Sequence, residues 1–429
     1  MNYAGAIRFL YDLRLFGAKF GLENTLHLAS LAGNPHRRLR FIHVAGTNGK
    51  GSTCAMLESI YRAAGLRTGL FTSPHLVSFR ERIQINRQLI SEAEVVRLVG
   101  QLSALLNNQA GLNATFFEFV TVMALKFFAS QRCDLVLWET GLGGRLDATN
   151  IVTPLAAVIT NVALDHQQWL GDRLEQIAFE KAGIIKNGVP VVTSVDDPKA
   201  LPVIENIARE KGAPLVNVAT RAATPALPIP LSLAGAHQRV NAALAMAVVG
   251  QLQGRIPVSH ERILAGFSGV QWPGRLQLVE RNGRKILLDG AHNVAAAKTL
   301  VQAIRQTFPH TPRALILGIL QDKDWKTICR LFAPLAREIR VVPVASPRSA
   351  NPRDLAAACR AANPAAATTT HRSLPEAFRA AFARAATGGA IVVTGSLYLV
   401  GEALECLGIA PAAGERDLNE WTASPPVVH

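Results

Sequence analysis

The chain has 429 residues, too many for one small hydrophobic core, so two domains are expected. Hydrophobic residues make up 49% of it and charged residues 18%, which is typical of a globular protein and excludes a disordered one. The net charge is +14, but the basic residues are dispersed and not interleaved with aromatic residues, so we expect polyanionic small substrates and no nucleic acid.

Other features exclude further classes of protein. No apolar run reaches the roughly 18 residues that span a bilayer, and the first residues do not resemble a signal peptide. The five cysteines are scattered, which argues against a disulfide framework or a zinc site. We therefore expect no membrane association and a cytoplasmic location.

The first informative element is a glycine-rich turn between a predicted strand and a predicted helix. The apolar run Phe41–Ala45 leads into Gly46–Ser52, and a helical pattern follows. A strand, a glycine-rich turn and a helix together point several backbone N–H groups at one anion. Lys50 adds a positive charge, and the hydroxyl of Thr47 or Ser52 could reach a metal ion or a phosphate oxygen. The segment predicts a nucleoside triphosphate site.

This turn departs from the general phosphate-loop pattern at two positions. Val44 stands where that pattern has its first glycine, and Gly51 stands where it has Ser or Thr after the lysine. On spacing alone the segment could therefore be only a tight turn, and the prediction needs support from the rest of the chain.

Short apolar runs continue along the chain and alternate with helical patterns. In the first half they cover 41–45, 135–138, 155–160 and 189–193. Runs that are apolar throughout are typical of parallel strands covered on both faces. In the second half, strands are predicted at 285–289, 314–318, 339–344 and 390–394, and helices at 294–307, 325–336, 352–362 and 374–385.

Each predicted strand of the second half ends in a cluster of polar residues or glycine. In an open α/β sheet the carboxyl ends of the strands share one crevice, in which ligands bind. Turns favour the same residue types for conformational reasons, so these clusters could also be ordinary turns.

Nine short segments match, in order, the motifs of one enzyme family. They are Gly46–Ser52, Phe71–Leu76, Glu139–Asn150, Leu164–His166, Glu180–Ile184, Pro273–Arg275, Asp289–Asn293, Asp322–Asp324 and Gly395–Ser396. On these segments, which extend over nearly the whole chain, the sequence resembles the folylpolyglutamate synthase and dihydrofolate synthase family of the ATP-dependent Mur ligase superfamily.

The resemblance and the element pattern together predict an α/β fold with two domains. Residues 1–272 would form an amino-terminal P-loop-type ATPase domain with a mainly parallel sheet and the pterin site. Residues 273–275 would form a hinge, and 276–410 a smaller, Rossmann-like glutamate-ligase domain. The stretch 219–230 is expected to be a loop or edge hairpin, and 411–429 a loosely held tail.

The resemblance implies an ATP- and Mg²⁺-dependent amide ligase that adds L-glutamate to a folate-type carboxylate through an acyl phosphate. The substrate would be dihydropteroate, a reduced folate, or both, and the enzyme is expected to be a monomer. One alternative is a Mur-type cell-wall amino-acid ligase, although the loop at residue 46 leaves no room for the extra amino-terminal module of such enzymes. Another is a nucleotide-hydrolysing kinase or switch, which would turn over ATP without glutamate.

The resemblance also assigns metal ligands. Two Mg²⁺ ions would be held by Ser73, Glu139 and His166, and Lys181, carbamylated by CO₂, would supply a further carboxylate. Carbamylation requires a neutral amine, so burial must lower the pKa of Lys181. On residue type alone, Lys181 would be an exposed lysine paired with a neighbouring glutamate, and His166 a structural histidine.

A second group of residues would bind ATP or act in catalysis. The ATP-binding set is Thr47, Asn48, Gly49, Lys50, Gly51, Ser52, Asn241, Arg275 and Asp289. Asn241 matches an adenine-contacting position, and Arg275 and Asp289 match positions near phosphate and ribose. The catalytic residues would be Lys50, Lys181 and His292, with His292 orienting the amine donor.

The pterin ring would bind in the first domain, near Thr115, Phe116, Phe117 and Asp147. Asp147 can accept two N–H donors from a pterin edge, and the aromatic rings could stack on the pterin. Asp147 follows the glycines of Glu139–Asn150. The phenylalanines would equally suit the core of a helix.

Overall fold

The structure is a computed structural model that describes residues 1–16, 21–107, 109, 112–219, 229–281, 283–309, 313–384, 389–411 and 414–419. It contains two sheets with helices packed on both faces of each, so the predicted two-domain α/β fold is confirmed. Most of the predicted loop at 219–230 lies outside the described residues. Among the described residues, no helix is both long and apolar enough to cross a membrane.

The first sheet has eight strands and is built around the glycine-rich turn. Its strands are β1 (Phe41–Ala45), β2 (Thr68–Phe71), β3 (Ile83–Ile85), β4 (Gln88–Leu89), β5 (Leu135–Glu139), β6 (Ala156–Ile159), β7 (Val191–Thr193) and β8 (Leu215–Asn217). Their order is β4-β3-β2-β5-β1-β6-β7-β8, and all neighbours are parallel except β2–β3 and β3–β4. The central position of β1 brings the turn that follows it to the middle of the carboxyl edge.

Helices cover both faces of this sheet, as the apolar strands predict. They are α1 (Tyr3–Asp12), α2 (Glu23–Leu31), α3 (Lys50–Ala63), α4 (Glu92–Asn107), α5 (Phe116–Ser130), α6 (Gln167–Leu170), α7 (Leu174–Ala182), α8 (Leu201–Glu210), α9 (Ala236–Leu252) and α10 (His260–Gly269). Phe41 of β1 packs in a core with α4 and α5, whereas its neighbours Ile42 and Val44 pack in a core with α3 and α9. Both faces of β1 are therefore buried, which explains the absence of polar alternation in its sequence.

The second sheet has six strands. The elements of this half are β9 (Gln277–Arg281), β10 (Arg284–Leu288), α11 (Val294–Thr307), β11 (Arg313–Leu317), α12 (Trp325–Phe332), β12 (Glu338–Val341), α13 (Pro352–Ala362), β13 (Ala367–Thr370), α14 (Leu374–Arg384), β14 (Ala390–Thr394) and α15 (Leu397–Cys406). The order is β13-β12-β11-β14-β10-β9, with only β9 antiparallel. The predicted helix 325–336 ends at Phe332 and continues as a 3₁₀ turn through Leu335.

The chain passes from the first sheet to the second at Pro273-Gly274-Arg275, between α10 and β9. Gly274 has a φ of 71°, and a Cβ there would lie 3.0 Å from side-chain atoms of both Leu76 and Val400. A glycine is therefore required, both by the backbone conformation and by the close approach of the two domains.

The tail predicted to be loosely held is packed at residues 414–419, whereas Pro411, the other described residue of this stretch, is exposed. Glu415, Leu418 and Asn419 are all buried, and residues 416–419 form a 3₁₀ turn. The prediction was wrong for these residues because it rested on composition, whereas specific hydrogen bonds hold the segment. Residues 420–429 lie outside the described part of the chain.

Candidate active site

A cleft of about 1020 Å³ lies between the two domains. Its first wall contains the segments that follow β1, β2, β5 and β6, and its second wall contains the segments that follow β10, β11, β12 and β14. The four polar clusters at the strand ends of the second half thus line one crevice, as the carboxyl-edge argument predicts.

The glycine-rich turn has the backbone that its sequence indicates. Gly46 and Gly49 have φ values of 149° and 83°, and α3 begins at the next residue, Lys50. A Cβ on Gly46 would lie 1.8 Å from Thr160 Oγ1, and one on Gly49 would lie 2.6 Å from Asn241 Oδ1. Neither glycine can be replaced without moving its neighbour.

The structure narrows the set of N–H groups that can meet a phosphate. The N–H groups of Thr47 and Asn48 donate to the backbone oxygen and to Oδ1 of Asn161, at 3.0 and 2.9 Å. The first-turn N–H groups of α3, at Lys50–Ser52, have no acceptor within the helix. An anion is therefore expected at the N–H groups of Lys50–Ser52, whereas the N–H groups of Thr47 and Asn48 hold the turn against Asn161.

Two polar side chains of the turn are also held by the protein. The Thr47 hydroxyl lies 3.2 Å from the oxygen and 3.0 Å from the nitrogen of Ala163. The Lys50 ammonium donates to the carbonyl oxygens of Gly46 and Thr47, at 3.1 and 3.4 Å. Lys50 therefore rests on its own turn, in reach of an anion bound there.

Glu139, at the end of β5, is a buried carboxylate with few partners. It is 4% exposed, and within the described residues its only hydrogen bond comes from the Ser73 N–H, at 3.1 Å. Burial raises the pKa of Glu139 to about 7, against the opposing effects of Lys50 and the Ser73 hydrogen bond. The arrangement leaves one carboxylate oxygen available to a cation.

Lys181, in the last turn of α7, is buried and not exposed as residue type alone would predict. It is 3% exposed, and its ammonium has no hydrogen-bond acceptor in the described part of the chain. The neighbouring Glu180 pairs instead with Arg145, at 2.8 Å. Burial, together with Lys50, lowers the pKa of Lys181 to about 7, so a neutral amine is accessible near pH 7.

His166 lines the cleft directly before α6. Its backbone is left-handed, with a φ of 52°. Desolvation and the charge of Lys323 lower the pKa of His166 to about 3, so its imidazole is neutral at pH 7 and able to bind a cation. Within the described residues, no three His, Cys, Asp or Glu side chains are grouped so that they could hold a metal ion by themselves.

Asp165 lies in the matched segment Leu164–His166, but the sequence analysis assigned it no role in the site. Its carboxylate lies 2.6 Å from Lys323 Nζ and accepts from Asn293 Nδ2 at 3.0 Å. Asn293 Nδ2 also lies 3.0 Å from Oδ1 of Asn48 in the glycine-rich turn. Burial alone would raise the pKa of Asp165, but the neighbouring cationic and histidine side chains lower it well below its ordinary value. The cluster joins the two domains directly beside the turn.

His292 belongs to the same cluster. Its Nδ1 lies 2.8 Å from the Gly290 carbonyl oxygen, so Nδ1 carries the proton of the neutral imidazole. Its Nε2 carries the lone pair and lies 3.8 Å from Oδ2 of Asp165. Burial and the charge of Lys323 lower the pKa of His292 to about 4. A neutral imidazole with a lone pair in the cleft suits an orienting role.

The remaining predicted ATP contacts also line the cleft. Asn241 lies against Gly49, and its Nδ2 donates to Gln238 at 2.9 Å. Both carboxylate oxygens of Asp289 accept backbone N–H groups, from Leu276 and Ala291, each at 2.9 Å. Asp289 therefore fixes the start of β9 against the end of β10, and any ribose contact would be an additional role.

The predicted pterin residues also line the cleft. Thr115 caps α5, with its hydroxyl accepting from the Glu118 N–H at 3.3 Å. Phe116 is buried, and the Phe117 ring lies against Gly141, where a Cβ would come within 2.5 Å of it. Phe117 therefore holds the glycine-rich segment after β5 in position, which sequence reasoning did not identify.

The carboxylate of Asp147 already accepts hydrogen bonds from its own loop. Its two oxygens accept the N–H of Leu142 at 2.8 Å, the N–H of Thr149 at 3.0 Å and the Thr149 hydroxyl. Contact with a pterin stays a prediction, and it would require one of these hydrogen bonds to be exchanged or shared.

Two family models match this chain. The Mur ligase middle domain matches residues 44–224, and the glutamate ligase domain of the Mur ligases matches residues 274–397. A curated dihydrofolate synthase/folylpolyglutamate synthase of Bacillus subtilis is 34% identical over 93% of this chain and 98% of its own.

Solved structures give the same result. Escherichia coli FolC in complex with DHPP and ADP superposes with a TM-score of 0.86 at 31% identity, covering 95% of this chain and 98% of the other. Mycobacterium tuberculosis folylpolyglutamate synthase complexed with ADP has a TM-score of 0.86 at 31% identity, covering 96% and 100%.

Proposed function

Since the chain belongs to the Mur ligase family of folylpolyglutamate and dihydrofolate synthases, we propose that it is an ATP-dependent ligase that adds L-glutamate to a folate-type carboxylate. The observation that carries the proposal is the single cleft in which the glycine-rich turn faces the polar strand ends of the second domain. The cell-wall ligase and kinase alternatives lose support, because the chain matches a curated folate synthase over 93% of its length.

The proposed reaction proceeds through an acyl phosphate. Joining a carboxylate to an amine is unfavourable in water, so the substrate carboxylate first attacks the γ-phosphorus of ATP and ADP leaves. The glutamate amine then attacks the acyl carbon, and an amide and inorganic phosphate are formed. Lys50 and the N–H groups at Lys50–Ser52 would hold the phosphates and stabilise the charge that develops on them.

We propose that Mg²⁺ binds at Ser73, Glu139 and His166. When bound, Mg²⁺ would neutralise phosphate charge. The hydroxyl and carboxylate suit a cation that prefers oxygen ligands, and the buried Glu139 has an oxygen without a protein partner among the described residues. The neutral imidazole of His166 can complete the set.

The proposed second Mg²⁺ would depend on a carbamate at Lys181. The neutral Nζ would attack the carbon of CO₂ and form an N–C bond, while one C=O bond becomes a C–O⁻ bond and one proton passes from the nitrogen to water. The neutral amine would thereby become an anionic carbamate. The buried position of Lys181 and its lack of an acceptor among the described residues support this role. A pKa of about 7 makes the neutral amine available without an external base.

The two substrates of the ligation would bind at opposite ends of the cleft. The ring-lined end at Phe116 and Phe117 suits the flat pterin, as dihydropteroate or reduced folate. The second wall carries the cations Lys323 and Arg348, which suit an amino acid with two carboxylates. Both dihydrofolate synthase and folylpolyglutamate synthase activity are proposed.

Cellular location and assembly are proposals of the same kind. All five cysteines are free thiols, which supports a reducing cytoplasm. A monomer, without nucleic-acid or membrane partners, stays a prediction.

An ADP-release assay with each substrate omitted in turn tests the proposal. We expect ADP only when ATP, L-glutamate and either dihydropteroate or a reduced folate are all present, and one glutamate incorporated per ADP. ADP release without glutamate would favour a nucleotide-hydrolysing protein, and no release with any folate substrate would contradict the proposal. Comparing dihydropteroate with tetrahydrofolate separates the two activities.

A further inference from the structure

After α15 the chain returns to the first domain through residues 414–419, which we call the C-terminal strap. One end of the strap is fixed to the second domain, because Arg416 forms an ion pair with Glu405 of α15. The rest packs on the first domain, where Leu418 belongs to the core formed with α4 and α5. The strap therefore connects the two domains at a second point, far along the chain from residues 273–275.

Glu415 anchors the strap to the first domain. Its carboxylate accepts the Tyr3 hydroxyl at 2.9 Å, the Ser78 hydroxyl at 2.9 Å and the Phe79 N–H at 2.7 Å. Glu415 is 7% exposed, and a buried carboxylate with three donors is a specific contact that would be costly to break.

Asn419 connects the strap to Arg82. Its Nδ2 donates to the His75 carbonyl oxygen at 2.9 Å, and its Oδ1 accepts from Arg82 Nη2 at 2.5 Å. Arg82 Nε donates to His75 Nδ1 at 2.8 Å, and His75 Nε2 in turn donates to the Glu415 carbonyl oxygen at 2.9 Å. The closed ring of contacts holds the Arg82 guanidinium in one orientation.

That orientation places Arg82 at the ring-lined end of the cleft. Its guanidinium carbon lies 5.3 Å from the centre of the Phe116 ring, within the range of a cation–π contact. Arg82, Phe116, Leu418 and Asn419 all line the cleft. The strap is thus part of the wall at the end where the folate-type substrate is proposed to bind.

We propose that the C-terminal strap completes the folate-binding wall and that Asn419 is a positioning residue, which sets Arg82 against Phe116. This inference rests on the proposed function, because it assigns the ring-lined end of the cleft to the folate-type substrate. The phosphate end lies at the turn 46–52, so the strap should affect affinity for the folate substrate and not for ATP.

The test compares Asn419→Ala with Asp417→Ala in steady-state kinetics. Asp417 lies in the same 3₁₀ turn, is exposed, and makes no hydrogen bond or ion pair within the described residues, so its variant is a matched control. For Asn419→Ala we expect KM for dihydropteroate or reduced folate to rise about tenfold, which corresponds to about 1.4 kcal/mol, with KM for ATP changed less than about twofold.

An equal rise in KM for ATP and for the folate substrate, or no rise in either, would overturn the proposal. Amide hydrogen exchange of the unmodified enzyme gives a second test that does not depend on a variant folding. The folate substrate should slow exchange at residues 415–419, whereas an ATP analogue alone should not, and unchanged exchange with the folate substrate would overturn the proposal. Absence of ADP release in the unmodified enzyme would instead contradict the proposed function.

Discussion

The buried groups Lys181 and Glu139 have fewer hydrogen-bond partners in the protein than the buried carboxylate of Asp165, which lies at the boundary between the two domains. Among the described residues, Lys181 has no acceptor and Glu139 accepts one N–H. Asp165, by contrast, is bound by both Lys323 and Asn293. The pKa values differ accordingly. Burial lowers the pKa of Lys181 and raises the pKa of Glu139, each to about 7, which disfavours their charged forms. Neighbouring groups lower the pKa of Asp165 and keep its carboxylate ionised.

A buried charge without a partner destabilises a protein, whereas a buried pair holds two segments in one arrangement. The paired cluster at Asp165 therefore holds the two domains together, whereas Lys181 and Glu139 are the groups that we propose CO₂ and a metal ion complete. Substitution of Asp165 should therefore lower the stability of the protein, whereas substitution of Lys181 or Glu139 should lower its activity.

The largest effect is expected from Lys181→Met. Loss of a group required in the reaction should lower ligase turnover by about 1,000-fold, and bicarbonate should not restore it. The free energy of unfolding should stay the same or increase, because methionine fills a similar volume without a buried charge. Lys199→Met, at an exposed lysine, is the control, and full activity of Lys181→Met would remove Lys181 from the mechanism.

Asp165→Asn should have the opposite profile. It leaves the Lys323 ammonium buried without its carboxylate, so the free energy of unfolding should fall by about 3 kcal/mol in urea titrations. Asp322→Asn breaks a partly exposed pair with Arg348, and a loss below about 1 kcal/mol is expected there. Equal losses in the two variants would contradict the distinction between paired and incomplete groups.

Glu139→Gln should weaken metal binding without loosening the fold. The amide oxygen can still accept the Ser73 N–H, so the unfolding free energy should change by less than about 1 kcal/mol. The Mg²⁺ concentration for half-maximal activity should rise about tenfold or more, since a charged ligand is lost. An unchanged Mg²⁺ dependence would exclude Glu139 as a ligand.

The smallest effect at neutral pH is expected from His43, a buried group of β1 that lies 2.9 Å from the Thr149 hydroxyl. Burial lowers the pKa of His43 to about 3, so between pH 6.5 and 3 the unfolded chain binds one proton more than the folded chain. Stability should therefore fall as the pH decreases through this range, and His43 should contribute up to about 1.4 kcal/mol per pH unit. His43→Gln should reduce the slope of unfolding free energy against pH, with exposed His27→Gln as the control; an identical slope in both would contradict the assignment.

The sequence predicts the parts of the molecule that depend on local signals. Strand β1, the glycines of the turn and helix α3 were predicted because the residues of one short segment determine all three. Eight strands are predicted because apolar residues dominate them, namely β1, β5, β6, β7, β10, β11, β12 and β14. The buried strand β2 was missed because it is short and contains Thr68 and Gly69, and the short strands β3, β4 and β8 were missed as well. The edge strands β9 and β13 were missed, since their side chains are mostly exposed and carry no continuous apolar signal.

The parts that sequence reasoning missed depend on contacts between distant residues. Asp165 and Lys323 are 158 positions apart, and neither residue type indicates its partner. The strap was predicted to be loose because its composition suggests a tail, whereas Glu415 and Asn419 bind residues more than 300 positions earlier. Such pairings follow from the fold and cannot be read from composition or periodicity.

The most direct test is a crystal structure with a non-hydrolysable ATP analogue and Mg²⁺. The proposed mechanism predicts the terminal phosphates on the N–H groups of Lys50–Ser52, a cation bound to Glu139, and the Asp165–Lys323 pair intact. Phosphates bound elsewhere in the cleft, or a cation that leaves Glu139 without contact, would contradict it.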